Sequence, residues 1–165
     1  MCINRYRRAH TRLMLSYRDA EEAETMFRQA QSAHAEDRQI EARALITAGI
    51  IAYARPFSGN SNHPDAAPTP PFSRRQLTQE EAALHDQVLQ LRNKAVAHTD
   101  LEYNAVEIAA YVSNGFVFSA SQYQPLDEVS RLGALEQLAR IAKDQFAHGA
   151  FEAARNIEAA TRGAG

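Results

Sequence analysis

Tryptophan is absent from this chain of 165 residues, and cysteine occurs once, as Cys2. A lone cysteine has no partner for an internal disulfide and forms no metal-site spacing, which fits a reducing cytosol. No apolar run approaches the ~20 residues needed to span a bilayer. The longest candidate, Ala44 to Ala54, is interrupted by Thr47 and Gly49. A cytoplasmic location without a membrane partner is therefore expected. Phosphate-binding glycine loops, a G-x-S-x-G elbow and a dinucleotide-binding glycine pattern are all missing. His34, His63, Asp100 and Glu102 form no i,i+4 pair of the kind a metal site uses, so the reading assigns neither metal nor cofactor. The formal net charge of −2 excludes a globally basic nucleic-acid coat and leaves room for a local basic patch.

What is present is an ordinary globular composition, 45% apolar and 23% charged, on a length suited to a single domain. Charge is unevenly spread: Arg5, Arg7, Arg8, Arg12 and Arg18 all precede the first acidic residue, Asp19. Such a start is a transit peptide, an RNA-touching arm or a solvated segment. Without an apolar core of its own, 1–16 is expected to fray.

Hydrophobic spacing predicts a mainly α protein, an up-and-down bundle of four to five helices with one inserted β-hairpin. Ala20, Ala23, Phe27, Ala30 and Ala33 recur at three and four residues, a narrow alanine-rich stripe suited to close helix packing. A second helix is expected from Asp37 to Arg55, ended by Pro56 because the residue before proline is pushed out of the α region. Five of the six prolines fall between Pro56 and Pro71, marking a loop over 57–76 that either crosses the bundle or covers a site. Thr78-Gln79-Glu80-Glu81 is a capping box that opens a third helix, with Leu84, Val88, Leu91, Ala95 and His98 on its stripe. Beyond it the period changes: alternating apolar residues flank Asn114-Gly115, which predicts a hairpin over 105–123, with a helix over 103–112 as the competing reading. The last helical region follows Pro125, either as one long helix or as two joined at His148-Gly149.

Chemistry concentrates in Leu91-Arg92-Asn93-Lys94-Ala95-Val96-Ala97-His98. On an ideal helix Arg92 and His98 lie ~120° apart, so they meet only if the helix bends or a second chain supplies the other half. A twofold interface would place Arg92 of one copy beside His98 of the other, which favours a homodimer. His85 lies seven residues before Arg92 on the same face, either lining that groove or serving as a buried structural histidine. Tyr53 and Arg55, at the exit of the second helix, either touch substrate phosphate or base or only anchor the proline turn.

The run Arg92-Asn93-Lys94-Ala95-Val96-Ala97-His98 resembles the R-x(4–6)-H motif of the HEPN superfamily, in which a polar residue often follows the arginine. "LRNKAVAHTD" is also similar to motif regions of bacterial HEPN-like proteins of abortive-infection type. The resemblance implies a small α-bundle acting as a dimeric, metal-independent endoribonuclease or RNA-binding protein of toxin or phage-defence type, with an antitoxin protein as a further partner. Arg92, Asn93 and His98 would be the catalytic residues; His85, Arg55 and Tyr53 are the candidates for substrate contact from their positions alone. The residue types suit the task. Imidazole can serve as base or acid near neutral pH, while a guanidinium grips phosphate in a fork. The alternative is a non-catalytic helical interaction module in which Arg92 and His98 only stabilise a dimer.

Overall fold

The computed structural model describes residues 3–58, 70–93, 104–112, 115–122 and 125–162. It is mainly helical, as the spacing predicts, with four α-helices among the described residues: α1 (Ile3–Ala35), α2 (Gln39–Ala54), α3 (Gln79–Leu91) and α4 (Leu132–Arg162). Between α3 and α4 the backbone runs as β1 (Asn104–Val112) and β2 (Gly115–Gln122), paired antiparallel with a register irregularity between Ile108 and Ala110.

Helix α1 is longer than its alanine stripe suggested. It begins at Ile3, so the basic start is helical rather than frayed. The physical reason is that the buried stripe continues back through Ser16 to Leu13 at helical spacing. Leu13 packs where α4 carries Gly149: a Cβ there would stand 3.1 Å from a Leu13 methyl. Ser16 is sealed in the same stripe and satisfies its hydroxyl by donating to the Arg12 carbonyl at 2.9 Å.

α1 ends in a Schellman turn. Asp37 takes the left-handed position at φ 57°, the Arg38 N–H donates to the Ala33 carbonyl, and the Asp37 N–H donates to that of His34. The chain therefore reverses before α2 starts at Gln39, two residues later than expected. α2 returns antiparallel along α1. Gly49 makes the closest approach, because a Cβ there would lie 2.6 Å from the Phe27 ring. Arg55 keeps α-helical dihedrals (φ −53°, ψ −46°) in spite of the following proline. Pro56 instead occupies the first turn of a short 3-10 segment, Arg55–Phe57, where its missing N–H costs nothing.

α4 is one continuous helix through Gly149, and it runs antiparallel to α1. Arg140 and Lys143 reach Glu24, and Arg28 and Gln31 reach Glu136. Glu24 is 5% exposed. Burial pushes its carboxyl upward, but hydrogen bonds from Lys143 and Arg140 outweigh that and hold it below the usual glutamate range. The core between the helices collects Phe27, Ile46, Ile50, Tyr53, Val88, Leu135, Leu138 and Phe146, each at most 1% exposed. Burying side chains of this size contributes about 1.5–3 kcal/mol apiece. No described helix is long and apolar enough to cross a membrane.

Candidate functional site

The capping box forms as its sequence requires. Thr78 Oγ1 accepts from the Glu81 N–H at 3.1 Å, while the Glu81 carboxylate accepts from the Thr78 N–H at 2.8 Å. This fixes the start of α3 and hence its rotation, which buries Leu84, His85, Val88 and Leu91. Seven residues beyond His85 the helix leaves the core. Arg92 is half-buried, Asn93 is exposed, and the two residues adopt a wider π-type turn. Such turns recur at functional positions because they re-aim side chains without breaking the helix.

The turn brings Arg92 and Asn93 together. A guanidinium nitrogen of Arg92 donates to Asn93 Oδ1 at 2.8 Å. Both side chains line a cavity of about 300 Å3 together with Ala54, Phe57, Ser58 and Leu89. Among the described residues no carboxylate pairs with Arg92. Asp86, six residues before it on α3, is bound to Arg74 at 2.6 Å. An arginine keeps its charge under all ordinary conditions, so the cavity presents a cation with its counter-charge unmet by those residues. His98, Lys94 and the centre of the proline-rich loop (59–69) lie outside the described residues.

The remaining expected substrate contacts sit elsewhere. His85 is 5% exposed and Tyr53 is 1% exposed. They do not line the groove beside Arg92 but form a pair inside the protein, with Tyr53 Oη and His85 Nδ1 sharing a 2.8 Å hydrogen bond. The physical cause is packing: Phe57 stands edge-on to His85 with ring centroids 4.8 Å apart, and Phe72 stacks on it at 5.1 Å. Burial pushes His85 below the usual imidazole range; the nearby Asp86 works against this and Arg74 adds to it. Burial likewise drives the Tyr53 phenol upward. Both groups are therefore neutral at pH 7, and the pair can hold structure but not exchange protons with a solvent-borne substrate.

Arg55 is exposed, yet its guanidinium is already taken by α1, at 3.2 Å from Asp19 and 2.8 Å from Glu22. It anchors the proline turn, one of the two roles its position suggested. The reading from sequence missed Phe57, Ser58 and Leu89 as cavity walls, and it missed Phe57 and Phe72 around His85, with Phe146 packed behind them. Phe57 directly after Pro56 and Phe72 directly after Pro71 were the available signal: an aromatic after each of these prolines packs against the core.

A larger cavity of about 650 Å3 lies between the loop's second end and α4, lined by Pro71, Ser73, Gln76, Asp144, Gln145 and His148 among others. None of the expected site residues that the structure describes lines it. Among the described residues no cluster of three or more histidine, cysteine or acidic side chains could hold a metal ion. Compared with known proteins, the chain matches no family model, no curated sequence and no solved structure.

Proposed function

We propose that this chain is an HEPN-like, RNA-directed protein that acts as a homodimer and cleaves RNA without a metal ion, in a toxin or phage-defence setting. The observation that carries the reading is the paired Arg92 and Asn93 at a solvent-reachable cavity where α3 leaves the core. In this scheme Arg92 binds the scissile phosphate and stabilises its developing charge, and Asn93 orients Arg92 through the 2.8 Å hydrogen bond. His98 takes the proton from the 2′-hydroxyl, and the imidazole of the second copy returns one to the leaving 5′-oxygen. The hairpin over 105–123 is then an insertion that follows the motif and borders the dimeric cleft. An antitoxin protein would act by covering that cleft.

The test is RNA degradation in the presence of EDTA. Wild-type protein is expected to cleave, while Arg92→Ala and His98→Ala each lose at least a hundredfold in rate, in line with removal of a positioned acid–base or charge-stabilising group. Circular dichroism and sedimentation should show both variants folded and dimeric. Cleavage at the wild-type rate by either variant, or only in the presence of added metal, refutes the proposal.

A second reading, a non-catalytic helical interaction module, is favoured by one specific observation. Leu15 is 50% and Phe151 63% exposed on the two longest helices, large apolar side chains of the kind that protein interfaces cover. That module predicts a dimer whose stability depends on these residues, with no RNA cleavage in any variant.

A further inference from the structure

The cavity beside Arg92 carries two polar side chains whose hydrogen-bonding roles are fixed by their partners. Arginine has only donors to offer. The Asn93 atom bonded to the Arg92 guanidinium at 2.8 Å is therefore the amide oxygen, which leaves the amide nitrogen, Nδ2, as a donor. Among the described residues nothing else bonds that side chain. Ser58 lines the same cavity, and its Oγ donates its one proton to the Ala54 carbonyl at 2.9 Å. A carbonyl only accepts, so this hydroxyl meets a ligand with lone pairs alone. The backbone holds Ser58 in place as well, since its N–H donates to the Ala54 and Arg55 carbonyls at 3.1 and 3.2 Å.

The cavity thus offers a donor from Asn93 and an acceptor from Ser58, with Ala54, Phe57 and Leu89 as its apolar wall. Its volume of about 300 Å3 lies at the lower bound for ligand pockets and suits one small planar group. Unpaired bases are read by hydrogen bonds along their Watson–Crick edges. Uracil and guanine present there a carbonyl oxygen next to a ring N–H, an acceptor beside a donor. Cytosine and adenine present the reverse, an amino group next to a bare ring nitrogen. We infer that the cavity admits one unpaired base and selects uracil or guanine. Asn93 Nδ2 donates to the base carbonyl, and the ring N–H donates to Ser58 Oγ. An amino base in the same position sets donor against donor at Asn93 and lone pair against lone pair at Ser58. The aromatic wall at Phe57 is of the kind on which such a base stacks. Ser58 is on this account a specificity-determining residue that takes no part in proton transfer. The inference rests on the proposed RNA-directed function and adds which nucleotide the site takes.

The test is fluorescence anisotropy in a His98→Ala background, so that the probes survive. Each probe is a short labelled strand with one ribonucleotide, bearing uracil, guanine, cytosine or adenine, flanked by abasic deoxyribose phosphates. The uracil and guanine probes should bind about tenfold more tightly than the other two, the discrimination expected of one matched donor–acceptor pair. Adding Ser58→Ala should shrink that ratio several-fold by weakening the uracil and guanine probes alone. A merely structural role for Ser58 would weaken all four alike. Equal binding of the four probes, a preference for the amino bases, a ratio unchanged by Ser58→Ala, or no binding of any probe overturns the inference. The same probes incubated with the wild type and EDTA test the nuclease reading separately. Cleavage without base preference removes the base pocket and leaves the nuclease standing. Base preference in binding without cleavage does the reverse.

Discussion

Acidification across the histidine range should destabilise this protein through one interior group. His85 sits at 5% exposure among Tyr53, Phe57 and Phe72, with Asp86 and Arg74 as the charged groups near it, paired to one another. Burial holds its imidazole below the usual range, so the unfolded chain binds a proton at a pH where the folded chain does not. Stability is therefore fully present above about pH 6.5, the ordinary imidazole value, and declines as pH falls through it. The limiting slope for one proton is about 1.4 kcal/mol per pH unit. On a domain of this size each kcal/mol corresponds to roughly 2–4 °C in Tm. The assay is urea denaturation at half-unit steps from pH 7.5 to 5.5. Asp19 and Glu128 complicate the raw curve, because burial raises their carboxyls and makes them favour the folded state as pH falls. The diagnostic quantity is thus a difference between proteins. Tyr53→Phe/His85→Phe removes both polar partners at nearly constant shape, a change expected to be close to neutral at pH 7.5. Tyr53→Phe alone strands His85 Nδ1 and should cost about 1–3 kcal/mol. If wild type and the double variant lose stability in parallel between pH 6.5 and 5.5, His85 is protonated without penalty and the argument from burial is wrong.

Two further perturbations probe the helix contacts. Gly49→Ala should destabilise by about 1–3 kcal/mol, because its methyl would meet the buried Phe27 ring at 2.6 Å. At Gly133 nothing lies within 4 Å of the same methyl, so the substitution there should gain up to about 1 kcal/mol of helix propensity; urea midpoints compare the two. Glu24→Gln should cost about 1–2 kcal/mol at pH 7. That lies toward the low end for charged hydrogen bonds, since Arg140 is 47% and Lys143 23% exposed. Because the Glu24 carboxyl lies below the usual range, the gap to wild type should close as pH drops beneath that range, and a constant gap down to pH 3 would count against the ion network.

Much of the fold was legible because local signals agreed with tertiary packing. The Thr78–Glu81 box, the alanine stripe of α1 and the apolar second half of α2 each carry their own physical cause, and each recurs in the folded chain. What escaped was decided by contacts between elements. Residues 3–16 contain too few apolar side chains to read as a helix alone, but Leu13 finds its partner at Gly149 more than a hundred residues later. Arg55 remains helical before Pro56 because α1 supplies two carboxylates to hold it. His85 shares a helix face with Arg92, yet one helical face can begin in the core and end in solvent. Periodicity reports the angle around an axis and not the depth along it. For that reason Arg92 and Asn93 came together as neighbours while His85 and Tyr53 turned inward.

Phe57 is where these two environments meet. Its ring packs against Tyr53, Phe72, His85 and Phe146, and it also forms a wall of the Arg92 cavity. A side chain fixed by four aromatic neighbours loses little further freedom when a ligand arrives, so the wall it offers is already ordered before binding. The neutral Tyr53–His85 pair then matters for the site without touching a substrate, since it holds the ring that the site borrows. Conversely, Asn93 and the helix turn fix Arg92 in place, and among the described residues no carboxylate takes up its charge. A cation positioned by neutral groups beside a rigid aromatic wall is suited to an anionic ligand with a flat, stackable part. An unpaired nucleotide has both features, which is why the proposed function is read from this corner of the bundle and not from the larger cavity against α4.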